Sequence, residues 1–417
     1  MTLPRPHSCP WPLGRSETLA ARARAHVAGF TMSMMKKPEH FAPGRFPVFL
    51  ESGRGPLVRD VDGNEYIDFI CGLGASALGH DHPVVREAIL ATLDVGVLHS
   101  LPHELELRAA DALLAIVPNG EMVRFFKTGA DATSCSVRLA RALTGRSGVF
   151  SVGYHGWHDH FMFDTPGVPP QVAELSRRFP LFQKTDEEPL LDAIRKSEDV
   201  AVCLLAVPYN RQLERPFLEA LRAECTAAGV LLVFDEIVTG LRVALGGVQE
   251  LFGVTPDLST YSKALGAGMP ISAVVGPREH MAKLNELQVS TTFGGEMLSL
   301  AVCEAAIETY RKSDTIGHIA RLGRRLRDGI NEVSEGLETP LRIVGYDPLP
   351  FFKMAPDPIS HVPLGKELQA QMAQRGVILR RDLNFICAAH DEESIDHAIE
   401  ACAESLRVMR DQGVFAP

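Results

Sequence analysis

A lysine sits alone in "LSTYSKALGAGMP", residues 258–270, between a short apolar run and a glycine-rich turn. A flexible charged side chain gains little from packing there. Lys263 is therefore either a solvated loop lysine or a desolvated amine kept for chemistry. Desolvation lowers a lysine's pKa and makes its amine a competent Schiff-base nucleophile. In "VLLVFDEIVTG", 28 residues earlier, Asp235 follows five apolar residues and is expected at the carboxyl end of a buried strand. An acid there needs a partner, because an unpaired buried charge is costly. A protonated pyridine nitrogen is one such partner, and a capping role for Asp235 is the plainer alternative.

Three further stretches carry candidate groups. In "FFKTGADATSCSVRLARALTG", a strand is expected to end at Lys127, with Thr128-Gly129-Ala130 leading into a helix near Asp131. Free amides at a helix N-terminus beside a glycine make a phosphate site, although an ordinary strand-to-helix turn has the same pattern. "SVGYHGWHDHF" crowds Tyr154, His155, Trp157, His158 and His160 just past a strand. Aromatic groups there suit a planar ligand at the sheet's carboxyl edge, or a structural cluster covering that edge. His158-Asp159-His160, without further ligands, does not make a metal site, and no metal is expected. "VSTTFGGEM", residues 289–297, offers hydroxyls for a further phosphate contact, or an ordinary turn. In order, the set is a phosphate turn, an aromatic, an acid, a lysine and a hydroxyl turn. It describes a site for pyridoxal phosphate.

The elements that must position these groups follow from apolar periodicity. "MVRFF", "GVFSV", "VAVCLLAVP", "VLLVF" and "ISAVVG" alternate with helical patterns such as "DATSCSVRLARAL" and "PFLEALRAECTAAG". Continuous runs of this kind predict a parallel sheet covered on both faces, hence an α/β fold. "PLVRDVDGNEYIDF" predicts a hairpin turning at Asp62-Gly63. The expected organisation is an N-terminal segment over residues 1–74, a large α/β domain over 75–310, and residues 311–417 completing a smaller α+β domain with the first segment. Ser16 is expected to cap a first helix, with residues 1–15 a loose leader.

Composition excludes several classes. The chain has 417 residues, 46% hydrophobic and 23% charged, with no apolar run long enough for a membrane span. No signal-peptide core opens it. A formal charge of −10 argues against a nucleic-acid binder and is compatible with a cationic substrate. The eight cysteines show no CxxC spacing, so buried free thiols in a reducing cytoplasm are expected rather than disulfides or a zinc framework.

The order and wording of these stretches resemble the class III aminotransferases of fold type I, over essentially the whole chain after residue 40. "DEIVTGLRVALGGVQELFGVTPDLSTYSKALGAGMPISAVVG" is similar to the branch that includes glutamate-1-semialdehyde aminomutase. The resemblance implies a mainly parallel seven-stranded sheet and pyridoxal 5'-phosphate as cofactor. It implies that Lys263 binds the cofactor covalently and later moves protons, and that Asp235 pairs with its ring nitrogen. Ile237 and Tyr154 would cover the two ring faces, with His155 beside them. The amides of Gly129 and Ala130 would bind the phosphate, and Thr292 would reach the phosphate of a neighbouring subunit, making a homodimer with shared sites.

Three departures from the family pattern bear on substrate. Val238 stands where many relatives have a glutamine that contacts the cofactor's phenolic oxygen. Ala130 removes a hydroxyl from the phosphate turn. No arginine lies between residues 29 and 44, where aminomutases carry one for the substrate carboxylate. The wording "YHGWHD" and "KTGADAT" is closer to the branch acting on sugars. The resemblance therefore implies amination of a sugar aldehyde, with the 6' position of an aminoglycoside intermediate as acceptor and a separate amino donor. An isomerase, either an aminomutase or an amine-carbon epimerase, is the alternative. A catalytically silent binding subunit is a third reading, opposed by the intact Lys263, Asp235 and Tyr154.

Overall fold

The computed structural model describes residues 13–355 and 358–415. The chain divides into two compact units, residues 1–82 with 317–417, and residues 83–316.

In the first unit, strands β1 (Leu50–Arg54), β2 (Leu57–Asp60) and β3 (Glu65–Asp68) form an antiparallel meander. Asp60 organises the β2–β3 turn. Its carboxylate accepts hydrogen bonds from the amides of Asp62 and Asn64, from Asn64 Nδ2, and from Tyr66 Oη. The expected cap at Ser16 is corrected by the structure, and most of the expected loose leader lies outside the described residues. The first helix is Gly14–His26, with Leu13 as the residue before it and no side-chain cap of its own. The Asp62 carboxylate caps it instead, accepting the amides of Arg15 at 2.8 Å and Ser16 at 3.0 Å. An acid 46 positions away does what a local serine was expected to do.

The second unit is built on seven strands: β4 (Met122–Phe126), β5 (Gly148–Val152), β6 (Ser176–Phe179), β7 (Val200–Leu205), β8 (Leu231–Asp235), β9 (Leu258–Tyr261) and β10 (Ser272–Gly276). Their order is β4-β10-β9-β8-β7-β5-β6. β7 is buried at every position and reads as one apolar run rather than an alternation, whereas β9, also buried throughout, carries Ser259 and Thr260. The sheet is mixed rather than wholly parallel, because β10 runs antiparallel to both β4 and β9. The connection from β9 to β10 is too short for a crossover helix, which needs about a dozen residues or more. Helix Gly129–Thr144 packs one face on the sheet through Ala132, Val137, Leu139 and Ala140, all wholly buried.

Returning to the first unit, β11 (Arg342–Tyr346) and β12 (Leu349–Lys353) form a hairpin. β13 (Val377–Ile378) then pairs in parallel with β3, so both chain ends share one sheet. No helix among the described residues is long and apolar enough to cross a membrane. All seven described cysteines are buried and free.

Candidate active site

The chemistry gathers where strands of the large sheet end. β8 delivers Asp235 at its last position, 6% exposed. Asp235 Oδ1 accepts the Ile237 amide at 3.0 Å and the Thr260 hydroxyl at 3.4 Å. Its other oxygen, Oδ2, lies 2.6 Å from His155 Nδ1. His155 follows β5 and is 2% exposed, and no described group hydrogen-bonds its Nε2. The carboxylate is thus held on both sides before any ligand arrives.

Lys263 follows β9 after one residue and opens a single tight turn, Lys263–Gly266. Its φ of +48° lies in the left-handed region, uncommon for a residue with a side chain. Ser262 Oγ donates to Ile271 O at 2.8 Å and Tyr310 Oη donates to Ala264 O at 3.3 Å, which pins that turn on both sides. Burial pushes the Lys263 amine down to about 8, the Asp235 charge opposes that shift, and the Arg242 guanidinium adds to it. Strain of this kind persists only where the surroundings over-determine the backbone, and it concentrates at functional sites.

The turn after β4 is built as a helix start. Thr128 and Asp131 make a reciprocal capping box on helix Gly129–Thr144. The box uses the amides of Thr128 and Asp131. Those of Gly129 and Ala130 donate to no described group. The Gly129 position is closed on one side by Ile237, whose Cδ1 stands 2.7 Å from where a Cβ would lie. Lys127, one residue before the turn, pairs with Glu296 at 2.9 Å.

The turn after β5 is stitched to that same helix. Thr133 Oγ1 donates to His155 O at 2.7 Å. Gly156, at φ +108°, presses on Ala130, whose Cα would stand 2.9 Å from an added Cβ. His158 and His160 share the Ser134 hydroxyl, so the histidine pair is tied to the helix rather than grouped with carboxylates.

The structure therefore brings Lys263, Asp235, His155, Ile237, Gly129 and Ala130 into one connected arrangement. Tyr154 stands beside it, 70% exposed, with its ring open to a ligand. Thr292 is elsewhere. It lines a cleft of about 440 Å³ with His99, His103, Glu106 and Arg124, and neither Lys263 nor Asp235 reaches that cleft. His155, expected beside the cofactor, turns its Nδ1 to the Asp235 carboxylate. Sequence reasoning missed Thr133, Gly156, the Lys127–Glu296 pair and the buried Arg242. The glycine was the one with a local signal, since it divides an aromatic cluster.

The donor set fits a phosphorylated pyridine aldehyde. It offers two free amides and a helix start for the phosphate, a fixed carboxylate for a ring nitrogen, and an amine of lowered pKa for a carbonyl carbon.

The family model "Aminotransferase class-III" matches residues 41–189 and 211–386. A 3-aminobutyryl-CoA aminotransferase of Cloacimonas acidaminovorans (strain Evry) is 32% identical, with 94% of this chain and 97% of that protein covered. A glutamate-1-semialdehyde 2,1-aminomutase of Syntrophobacter fumaroxidans (strain DSM 10017 / MPOB) is also 32% identical, with 94% and 97% covered. Among solved structures, a transaminase with PLP bound has a TM-score of 0.87 at 26% identity, covering 96% of this chain and 99% of its own. An omega-transaminase from Sphaerobacter thermophilus has a TM-score of 0.85 at 26% identity, covering 96% and 98%.

Proposed function

Since the chain belongs to the class-III aminotransferases and is a pyridoxal-phosphate-dependent enzyme of fold type I, we propose that it moves an amino group onto the carbonyl carbon of an aldehyde or ketone, with Lys263 as the reacting amine. The observation that carries this is a desolvated Lys263 amine in the field of an Asp235 carboxylate already fixed by His155.

When bound, pyridoxal phosphate supplies an electron-poor ring that takes up the electron pair left on the substrate's amine-bearing carbon. The protein's part is to hold and to move protons. Asp235 would face the ring nitrogen, the amides of Gly129 and Ala130 would take the phosphate, and Ile237 and Tyr154 would flank the ring. Lys263, its pKa lowered to about 8, takes a proton from the amine-bearing carbon and returns it one position away.

For the acceptor we place a sugar aldehyde first, the 6' aldehyde of a cationic aminosugar, on the wording of "YHGWHD" and "KTGADAT" and on the absence of arginine between residues 29 and 44. The sequence relatives are named for 3-aminobutyryl-CoA and glutamate 1-semialdehyde, so the test spans acid aldehydes too. Enzyme loaded with the amino group and freed of donor is given sugar 6-aldehydes, glutamate 1-semialdehyde and ω-aldehyde acids in turn. Recovery of the cofactor's visible absorbance with release of a primary amine is expected for the sugar aldehydes. Recovery confined to the acids would overturn the acceptor, and recovery with none would overturn transamination.

The aminomutase relatives and Val238 favour a second reading, an isomerase working without net donor. Conversion of an amine product back to an isomer, in enzyme given no second substrate, distinguishes it. We also propose that Thr292 serves the phosphate of a second copy of the chain. Its separation from Lys263 and the exposed Leu101 and Leu107 beside it support a homodimer, which light scattering tests.

A further inference from the structure

In the unit built from the two chain ends, two thiols and an imidazole meet that transamination does not use. The sulfurs of Cys71 and Cys387 and a ring nitrogen of His390 lie within 4.8 Å of one another, all buried. We propose that these three side chains bind a thiophilic d10 cation, Zn²⁺ or Cu⁺.

Three observations carry the site. The first is donor chemistry: two sulfurs and an imidazole are a set that Zn²⁺ and Cu⁺ select, and hard oxygen-seeking cations do not. Two sulfurs sharing a tetrahedral cation lie about 3.8 Å apart, inside the 4.8 Å that bounds the donor atoms here. The second is the histidine. Its Nδ1 accepts the Cys387 amide at 3.0 Å and its ring stacks on Phe69 at 4.6 Å, while no described group hydrogen-bonds the buried Nε2. With Nδ1 accepting, the ring proton sits on Nε2, so ligation through either nitrogen gives up the Cys387 amide bond, and until then the fully buried imidazole leaves its polar contacts incomplete.

The third is preorganisation. Cys71 begins a run of four left-handed residues, Cys71, Gly72, Leu73 and Gly74, with φ values of +48°, +60°, +61° and +88°. A Cβ on Gly74 would lie 2.5 Å from the Phe385 ring, so the turn is pressed onto the segment that carries Cys387. Phe385 N donates to Phe69 O at 2.9 Å and Ala388 N donates to Ala77 O at 2.8 Å. The main chain therefore holds the donors together ahead of any cation. Cys71 Sγ also lies 3.0 Å from Asp68 O. Each thiol that ligates gives up its proton to solvent, so uptake releases protons and weakens as pH falls. Its bound cation would tie residue 71 to residues 387–390.

The experiment uses untagged, cofactor-loaded enzyme stripped with a chelator, then titrated with Zn²⁺ or Cu⁺ against a chromophoric competitor, and with Co²⁺ as a spectroscopic probe. The expected result is one tight equivalent per chain and an intense near-ultraviolet thiolate band with Co²⁺. Cys71→Ser, Cys387→Ser and His390→Gln should each weaken binding by more than about a hundredfold, beyond the loss of an outer partner. Cys303→Ser, a buried thiol in helix Met297–Lys312, should leave it unchanged. If the variants fold poorly, mass-spectrometric alkylation of wild type in mild denaturant replaces them, with Zn²⁺ expected to protect Cys71 and Cys387 selectively. No tight equivalent in wild type, binding equal in the variants, or protection spread over all cysteines would overturn the site.

Discussion

His155 Nδ1 lies 2.6 Å from Asp235 Oδ2, and 80 residues of chain separate the two. Both side chains are all but closed to water. In the proposed site Asp235 faces the ligand, and His155 stands behind it as a positioning residue. His155→Leu removes one hydrogen bond to a buried carboxylate, worth about 1.5–3 kcal/mol. Turnover and cofactor affinity should each fall about ten- to a hundredfold, with the circular dichroism spectrum unchanged. If His155→Gln restores most of the loss while Leu does not, hydrogen bonding to Asp235 is the cause. Unchanged cofactor affinity in His155→Leu would remove His155 from the site.

Lys263 sets a second expectation through its pKa of about 8. The neutral amine is the reactive form, so rates rise with pH and level off once it is deprotonated. At pH 7 about a tenth of the amine is neutral, against a few parts in ten thousand for an ordinary lysine. Capture of pyridoxal phosphate by cofactor-free enzyme should therefore accelerate about tenfold per pH unit below pH 8 and then plateau. Stopped-flow absorbance measures it. A rate still climbing at pH 10 would mean the amine is not desolvated.

Gly156 offers a steric test. At φ +108° a side chain is strained whatever the space, and a Cβ would also meet the Ala130 backbone. Gly156→Ala should cost about 1–3 kcal/mol and push the Tyr154–Trp157 turn off the helix start, weakening cofactor retention. Gly145→Ala is the control, since its position is left-handed but nothing lies within 4 Å of an added Cβ. The control should lose some thermal stability and keep the cofactor. Equal retention in the two variants would show that the turn does not shape the phosphate site.

These tests also mark how much the sequence alone makes legible. Lys263, Asp235 and Gly129 can be read because each lies at a strand end or within three residues of one, where the strand's own sequence announces the position. The partner of Asp235 cannot be read, since Tyr154–His160 holds three histidines and nothing local says which one turns inward. Ser16 misleads for the same reason: the acid that caps its helix comes from a turn 46 residues on. The orientation of β10 is legible only in hindsight, from the short connection that holds Lys263. Cys71 and Cys387 are 316 positions apart, so no spacing rule could join them. Local chemistry is written along the chain, and pairing across strands is not.

Glu236, next to Asp235, carries the last prediction. It is 1% exposed, accepts the amides of Val248 at 2.9 Å and Gln249 at 3.1 Å, and accepts the Thr239 hydroxyl. Burial pushes its carboxyl up from 4.5 to about 7, those hydrogen bonds pull it down, and the Asp235 charge pushes it up again. The folded protein thus holds a proton that the unfolded chain releases above pH 4.5. Its contribution is present in full below about pH 4.5 and is lost as pH rises through about 7, a loss on the order of 3 kcal/mol. Glu236→Gln cannot ionise; its one oxygen can keep the Val248 amide and the Thr239 hydroxyl while its NH2 faces the Gln249 amide, a loss that does not depend on pH. Between pH 5 and pH 8 the melting temperature of the variant relative to wild type should therefore rise by several degrees. Parallel melting curves across that range would show that Glu236 is already charged in the folded protein near pH 5, and that its hydrogen bonds outweigh its burial.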